Sequence, residues 1–305
     1  MLSVVITAWN EAKNLPRAVK SVSGLADEIV VVDTESTDST AKVARSLGCK
    51  VYRHPNTRYV EPVRNFSVSK AAGDWILVLD ADEEVPPSLA AFLRDQIQAD
   101  AADYFRIPRK NLIFGRWIRS AHWWPDYVYR LFKKGHVVWS EEIHSVPITH
   151  GRGADIPAED QFSLIHHHYE SISQYVERLN RYTDVQAEEL AARDYKFAWG
   201  DLLTRPADEF LSQYFARRGF AEGLHGLALS LLQAFSSLVL YLKLWQQSGF
   251  PESHPRLEHI KSLATSKRKE ATWWYLQSKI DSAPQVLKPY WQLIRRLAHP
   301  GEKTP

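Results

Sequence analysis

A single cysteine, Cys49, stands in a chain of 305 residues. No intrachain disulfide can form and a four-cysteine zinc site is excluded, which is compatible with a reducing compartment. A charge excess is missing too. Lys and Arg number 38 against 36 Asp and Glu, a formal net charge of +2, so the basic surplus of a nucleic-acid binder is absent and nucleic acid is not an expected partner. The first residues run straight into an apolar strand pattern without a basic segment and a long apolar core, so no signal peptide is expected. Neither Gly-x-Gly-x-x-Gly nor Gly-x-x-x-x-Gly-Lys-Ser/Thr occurs, which removes the glycine cradle on which dinucleotide folds and P-loop enzymes rest phosphates. The most apolar stretch, 224–245, is broken at His225, Ser230, Gln233, Ser236, Ser237 and Lys243, and so fails the test of an uninterrupted membrane span.

What is present begins with a repeating pattern. Apolar runs at Leu2–Thr7, Glu28–Asp33, Lys50–Arg53 and Trp75–Leu79 alternate with helical stretches at about 14–23, 39–47 and 64–72, with Gly48 and Gly73 as stops. Strand and helix at this spacing predict βαβ units and a parallel sheet. Open parallel sheets take ligands beyond the carboxyl ends of their strands. Three of those ends carry polar groups: Asn10-Glu11, Asp33 and Asp80-Ala-Asp82. Asp and Asn also serve as caps and turn residues, so any one end has a structural alternative; three in succession point to a site. Without a glycine cradle, phosphates need another partner. A divalent cation on Asp82 is one, since Mg²⁺ and Mn²⁺ pair one or two carboxylates with substrate phosphate oxygens.

Val4-Val-Ile-Thr-Ala-Trp-Asn-Glu11, Ile29-Val-Val-Val-Asp-Thr-Glu-Ser-Thr-Asp-Ser-Thr40, Arg64-Asn65 and Gly73-Asp-Trp-Ile-Leu-Val-Leu-Asp-Ala-Asp-Glu83 together resemble the GT-A glycosyltransferases of family 2. More narrowly they resemble the bacterial lipopolysaccharide-core β-glucosyltransferase-like branch. The resemblance runs in order over residues 1 to about 190. It implies an α/β fold with a mixed, mainly parallel sheet, helices on both faces and a helical carboxy-terminal extension. It also implies roles. Thr7, Asn10 and Glu11 would line the nucleoside pocket, Asp33 would take the base edge, and Ser36 and Asp38 would shape the loop beside it. Arg64 would lie near the diphosphate, where a guanidinium can fork onto phosphate; a solvated helix residue is its alternative. Asp80 would face the ribose or the cation's water shell, and Asp82 would ligate Mn²⁺ or Mg²⁺.

Residues 104–170 read as irregular and aromatic-rich, with Phe105, Phe114, Trp117, Trp123, Trp124, Tyr127, Tyr129, Phe132 and Trp139. In the family this is the acceptor half of the site; a core role is the alternative for each aromatic. An inverting transferase needs a general base within reach of the acceptor hydroxyl. Relatives carry His-Glu where this chain reads Glu141-Glu142-Ile143-His144-Ser145. Glu142 is the first candidate, since it shares a strand face with His144; His144 and Asp126 follow. Ser163-Leu-Ile-His-His-His-Tyr169 reads as a strand entering a site, with His166 and His168 on one face. The resemblance places the family's late metal-binding histidine at His166, with His168 second; a structural histidine is the alternative.

Residues 1–192 are expected to form the catalytic domain and 193–305 a helical extension. In 224–245 the six polar residues fall within less than half of the helical circumference, which fits a membrane-surface helix, a core helix or a dimer contact. Arg217, Arg218, Lys243, Lys267, Arg268 and Lys269 suit anionic headgroups. The expected function is inverting, metal-dependent transfer from a nucleotide-diphosphate sugar, a UDP-hexose, to a hydroxyl of a cell-envelope glycan or lipid-linked acceptor. The expected place is the cytoplasm, with the inner face of the cytoplasmic membrane as its surface. A sugar nucleotidyltransferase and a nucleotide-sugar-binding scaffold are the competing readings. The first wants a Gly-rich loop where Ala8-Trp9-Asn10-Glu11 stands; the second draws only on Ser145 in place of glutamate.

Overall fold

A computed structural model describes residues 1–57, 60–140 and 146–298. In chain order the elements are β1 (Leu2–Ala8), α1 (Leu15–Val22), β2 (Glu28–Asp33), α2 (Thr40–Ser46), β3 (Lys50–Arg53), α3 (Glu61–Ser69), β4 (Trp75–Asp80), β5 (Glu83–Glu84), α4 (Pro87–Ala99), β6 (Tyr104–Ile113), β7 (Arg116–Trp117), β8 (Asp126–Lys133), β9 (Val137–Val138), β10 (Ile148–Thr149), β11 (Gly153–Asp155), β12 (Leu164–Tyr169), α5 (Ile172–Ala192), α6 (Asp201–Leu211), α7 (Leu224–Gln247), α8 (Leu257–Ser282) and α9 (Lys288–Ala298). They form two compact units. The first holds residues 1–118 and 123–170; the second holds 119–122 and 171–305. The boundary therefore falls after Glu170 rather than at 192, because α5 packs with α7.

The first unit is built on a sheet of order β3-β2-β1-β4-β8-β6-β12-β5, with β7 and β11 also on β6. β1, β2, β3 and β4 are parallel. β8 then enters antiparallel to β4 and β6, while β12 runs parallel to β6. The mixed, mainly parallel α/β sheet agrees with the expectation. The segment 104–170, read as irregular, instead contributes β6, β8 and β12. In β6, Phe105 and Ile107 are buried on either side of a partly exposed Arg106, a strand alternation that the polar and basic residues of the region mask.

β1 reads as an unbroken apolar run because both its faces are covered. Leu2, Val4, Ile6 and Ala8 pack with Leu15, Ala18, Val19 and Val22 of α1 and with Leu89 and Leu93 of α4. Val5 points the other way, to Val63 and Val68 of the α3 layer.

Glu28 opens β2 with its carboxylate buried under the sheet. It accepts bonds from Ser3 Oγ at 2.6 Å, the Ala72 amide at 2.9 Å and Lys50 Nζ at 2.5 Å. Burial pushes its pKa up, but those three donors, the Ala72 amide foremost, outweigh burial and hold it down at about 2, against an ordinary 4.5. A folded-state pKa below the unfolded one stabilises above the unfolded value and is lost as pH falls through the folded one. Glu28→Gln is therefore expected to flatten the stability–pH curve between pH 5 and 2, a stretch worth on the order of 2–3 kcal/mol in the wild type. Urea midpoints measured across that range check it; an unchanged slope would count against it.

Candidate active site

The parallel register brings the three polar strand ends together. Ala8 lies beside Asp33, and Thr7 lies beside both Val32 and Asp80. The loops after β1 and β2 are then tied to each other. Asn10, at φ 56°, accepts at Oδ1 from the Thr37 amide at 2.8 Å and donates its own amide to Ser36 Oγ at 2.9 Å. The Glu11 amide donates to Thr40 Oγ1 at 2.8 Å and its carboxylate accepts from Asn14 at 2.8 Å. Asp38 accepts from the Ala12 and Thr40 amides and the Thr40 hydroxyl. Burial alone would raise the Asp38 pKa, but the Thr40 and Ala12 donors bring it below the ordinary carboxylate value. Asn10, Ser36 and Asp38 thus brace the loops, and Thr7 Oγ1 bonds Ser67 Oγ at 2.9 Å.

Asp33 differs from these loop-builders. It is 2% exposed, and its Oδ1 is buried without a hydrogen-bond partner among the described residues. A buried carboxylate oxygen left unbonded is costly. It borders a cavity of about 380 Å³ that Glu35, Ser36, Arg53, His54 and Pro55 also line, within the range of small-ligand pockets.

Asp80 is neutralised inside the protein. Its carboxylate bonds Arg64 at 3.1 Å and Arg130. Burial pushes its pKa up; the Arg130 and Arg64 guanidinium groups outweigh this and hold it well below the usual carboxylate range. Arg64 is buried and also lies over the Trp139 ring, 5.7 Å from its centroid, so the solvated alternative for it fails. Arg130 continues to Glu83 at 2.7 Å. Glu83 is fully buried, and its other oxygen accepts the Asp80 amide at 2.9 Å. Arg109 reaches Glu83 at 3.4 Å and Asp126 at 2.6 Å. Beside Arg64, Asn65 makes paired bonds with the main chain of Trp139, at 2.7 and 3.0 Å.

Asp82 and His166 meet. Asp82 Oδ1 is 3.5 Å from His166 Nε2, and both residues are buried. The strand reading of 163–169 holds: β12 puts His166 beside Asn111 of β6 and His168 Nδ1 3.2 Å from His166 Nε2, while His167 turns to Glu84 at 3.4 Å. Two electron-rich atoms at 3.5 Å suit a cation between them, since ligand bonds of about 2.0–2.2 Å can span that gap. Among the described residues no group of three or more His, Cys, Asp or Glu could hold a metal ion by itself, so a cation here would need further ligands. Two protein donors are compatible with Mg²⁺ or Mn²⁺, which commonly share their shell with substrate phosphates and water.

Of the three candidate bases, Glu142 and His144 lie outside the described residues. Asp126 opens β8. Arg109 Nε and Nη2 and Asn111 Nδ2 all bond its Oδ2, at 2.9, 2.6 and 3.0 Å, so these contacts leave Oδ1 to other use. Of the region's aromatics, Phe105, Phe132 and Trp139 are buried core, and Trp123 faces His168 with ring centroids 5.3 Å apart. The sequence reading passed over Glu83, Arg109, Asn111 and Arg130. Glu83 stood inside a quoted motif and Arg130 next to the noted Tyr129; Arg109 and Asn111 carried no local signal.

Residues 3–153 match the family model described as Glycosyl transferase family 2. An uncharacterized glycosyltransferase of Rickettsia felis is 31% identical over 287 residues, covering 89% of this chain and 95% of the relative. The lipopolysaccharide core biosynthesis glycosyltransferase LpsC of Rhizobium meliloti is 23% identical over 268 residues, covering 86% and 97%. Among solved structures, glucosyl-3-phosphoglycerate synthase of Mycobacterium tuberculosis, in complex with Mn²⁺, UDP and glucosyl-3-phosphoglycerate, is 23% identical with a TM-score of 0.31. It covers 36% of this chain and 44% of its own.

Proposed function

Because the chain belongs to glycosyl transferase family 2 and is a glycosyltransferase, we propose that it transfers a sugar, with inversion, from a UDP-hexose to a hydroxyl of a cell-envelope glycan or lipid-linked acceptor. Membership sets aside the nucleotidyltransferase and scaffold readings. The observation that carries the donor assignment is the unbonded Asp33 Oδ1 at the cavity beside β2. A uracil N–H is the donor it lacks. The first unit is the catalytic domain in this reading and the helical unit is its extension.

Thr7, Asn10, Glu11, Ser36 and Asp38 shape the nucleoside pocket, three of them by bracing its loops. Asp82 and His166 would hold a Mn²⁺ or Mg²⁺ ion, with His168 Nδ1 3.2 Å from the same His166 Nε2. That cation, when bound, offsets the charge that builds on the departing diphosphate. Arg64 and Arg130 add guanidinium charge beside Asp80. Among the described residues Asp126 is the base, with Oδ1 taking the acceptor proton and Oδ2 anchored by Arg109 and Asn111; Glu142 and His144 remain candidates from sequence. One displacement on an α-linked donor gives a β product. Asp33→Ala is expected to weaken UDP binding by roughly 10–100-fold, the loss of one charge-assisted bond of about 1.5–3 kcal/mol, while Mn²⁺ binding persists. Calorimetric titration of UDP in Mn²⁺ measures it. Unchanged UDP affinity would remove the pocket assignment.

The second unit supports a membrane-surface reading. α7 is 24 residues long, with an 18-residue window of mean hydropathy 1.7 of which 17% is buried. Its small and polar side faces inward. A Cβ on Gly226 would lie 1.8 Å from Gly219 O, Ser230 is 2% exposed, and Lys243 pairs with Asp184 of α5 at 2.6 Å. Leu224, Leu231, Phe235 and Leu242 recur at intervals of seven and four on the outward side and are 78%, 53%, 46% and 37% exposed. Val286, Tyr290, Leu293 and Leu297, on and just before α9, form a second stripe, each more than half exposed. Lys243 and Lys267 are taken up by Asp184 and Asp208, leaving Arg217, Arg218, Arg268 and Lys269 exposed for anionic headgroups. The charged partners on α5 argue for lying in the membrane plane rather than crossing it. The protein is expected to co-sediment with anionic phospholipid vesicles, and Leu231→Asp with Phe235→Asp to abolish this. A wild-type protein left wholly in the supernatant would sink the reading.

A further inference from the structure

We propose that Asn111 is a positioning residue. It holds a proton on His166 Nδ1 and turns Nε2 toward Asp82, with His168 Nδ1 3.2 Å from the same Nε2. The inference rests on the cation reading of Asp82 and His166 only for its consequence, not for its geometry.

Asn111 lies on β6 and is fully buried. Its Nδ2 stands 3.0 Å from the carbonyl oxygen of Trp123 and 3.0 Å from Asp126 Oδ2. Both are acceptors, so the NH₂ group must face them; a flipped amide would set oxygen against oxygen twice. The side-chain orientation is thereby fixed from outside the histidine. The amide oxygen is then the atom 2.6 Å from His166 Nδ1. An amide oxygen can only accept, so Nδ1 must carry the hydrogen. A neutral imidazole has one N–H, which leaves Nε2 with its lone pair. Nε2 is the ring atom 3.5 Å from Asp82 Oδ1. Asp126 is itself anchored by Arg109 at 2.6 Å, so the tautomer is set by a chain of fixed contacts running from β8 through β6 to β12. A merely structural asparagine could be removed from a folded protein without changing Mn²⁺ affinity, so the metal titration distinguishes the two roles.

Long-range ¹H–¹⁵N spectra of the metal-free protein near neutral pH, with the His166 ring assigned through His166→Gln, read this directly. The expected result is a protonated Nδ1. An Nδ1 without a proton overturns the proposal whatever the metal does. Asn111→Leu removes the acceptor and is expected to move the proton to Nε2 and to weaken Mn²⁺ binding by roughly 10–100-fold. Mn²⁺ affinity follows from paramagnetic resonance titration, and thermal melts verify folding. Wild-type tautomer and Mn²⁺ affinity in Asn111→Leu overturn the proposal. A wild-type protein that shows the Nδ1–H ring yet binds no Mn²⁺ overturns the cation reading and supports the tautomer assignment, so the two failures are told apart.

Discussion

Asp82→Ala is expected to lower sugar transfer by roughly 10³-fold or more, about 4 kcal/mol of transition-state stabilisation, and to abolish Mn²⁺-dependent binding of UDP-sugar. The fold should survive, because Asp82 sits after β4 and is not among the groups that neutralise Arg130. Asp126→Asn gives the contrasting result. Removing a general base costs roughly 10²–10⁴ in turnover but leaves donor and cation binding in place. The pair separates the two sides of the site, since one variant loses binding and turnover together and the other loses turnover alone. The check is UDP release with an acceptor extract, run beside calorimetry of UDP-sugar with and without Mn²⁺. Full activity of Asp82→Ala, or full activity of the wild type in EDTA, would overturn the metal-dependent mechanism. Full turnover in Asp126→Asn would pass the role of base to Glu142 or His144.

Arg130→Met is expected to lower the unfolding free energy of the first unit by about 3–5 kcal/mol, the usual loss when a buried ion pair forfeits one partner. Arg130 is 3% exposed and joins Asp80 to Glu83, which is fully buried. Burial disfavours charge on the guanidinium, but the two carboxylates outweigh it and push its pKa further up. Without it Asp80 keeps Arg64, while among the described residues Glu83 keeps the 3.4 Å contact to Arg109 and the Asp80 amide. Adding Glu83→Gln removes the orphaned charge and should restore a large part of the loss. Urea unfolding of the single and double variants measures this. A single variant within 1 kcal/mol of the wild type, or a double variant no better than the single, would show that Arg130 does not neutralise this cluster.

Much of the site was legible because it is local. Four apolar strands, each ending in a turn, are written in consecutive residues, and a parallel sheet places such ends side by side without further information. Asp33 and Asp82 could therefore be picked out from sequence as candidate acids. Arg64 was placed at the site but with a solvated alternative, which its burial against Asp80 and Trp139 removes. Asn10, Ser36 and Asp38 are at the expected place but engaged with each other. That detail depends on how two loops 26 to 28 residues apart bond.

The sequence by itself determined the parallel α/β half, the order of its acidic strand ends and the family, since each depends on short-range pattern and spacing. Tertiary structure alone decided what those acids touch. Arg130 reaches Asp80 across 50 residues, Arg109 reaches Glu83 across 26, and His166 bonds Asn111 across 55. Such pairings come from strand order, which no window of sequence contains. It also decided the sidedness of α7. Periodicity shows that a helix has a polar strip, but not whether that strip faces water or a neighbouring helix. The close approach of Gly226 to Gly219 turns it inward, because only a residue without a side chain lets two backbones come that near.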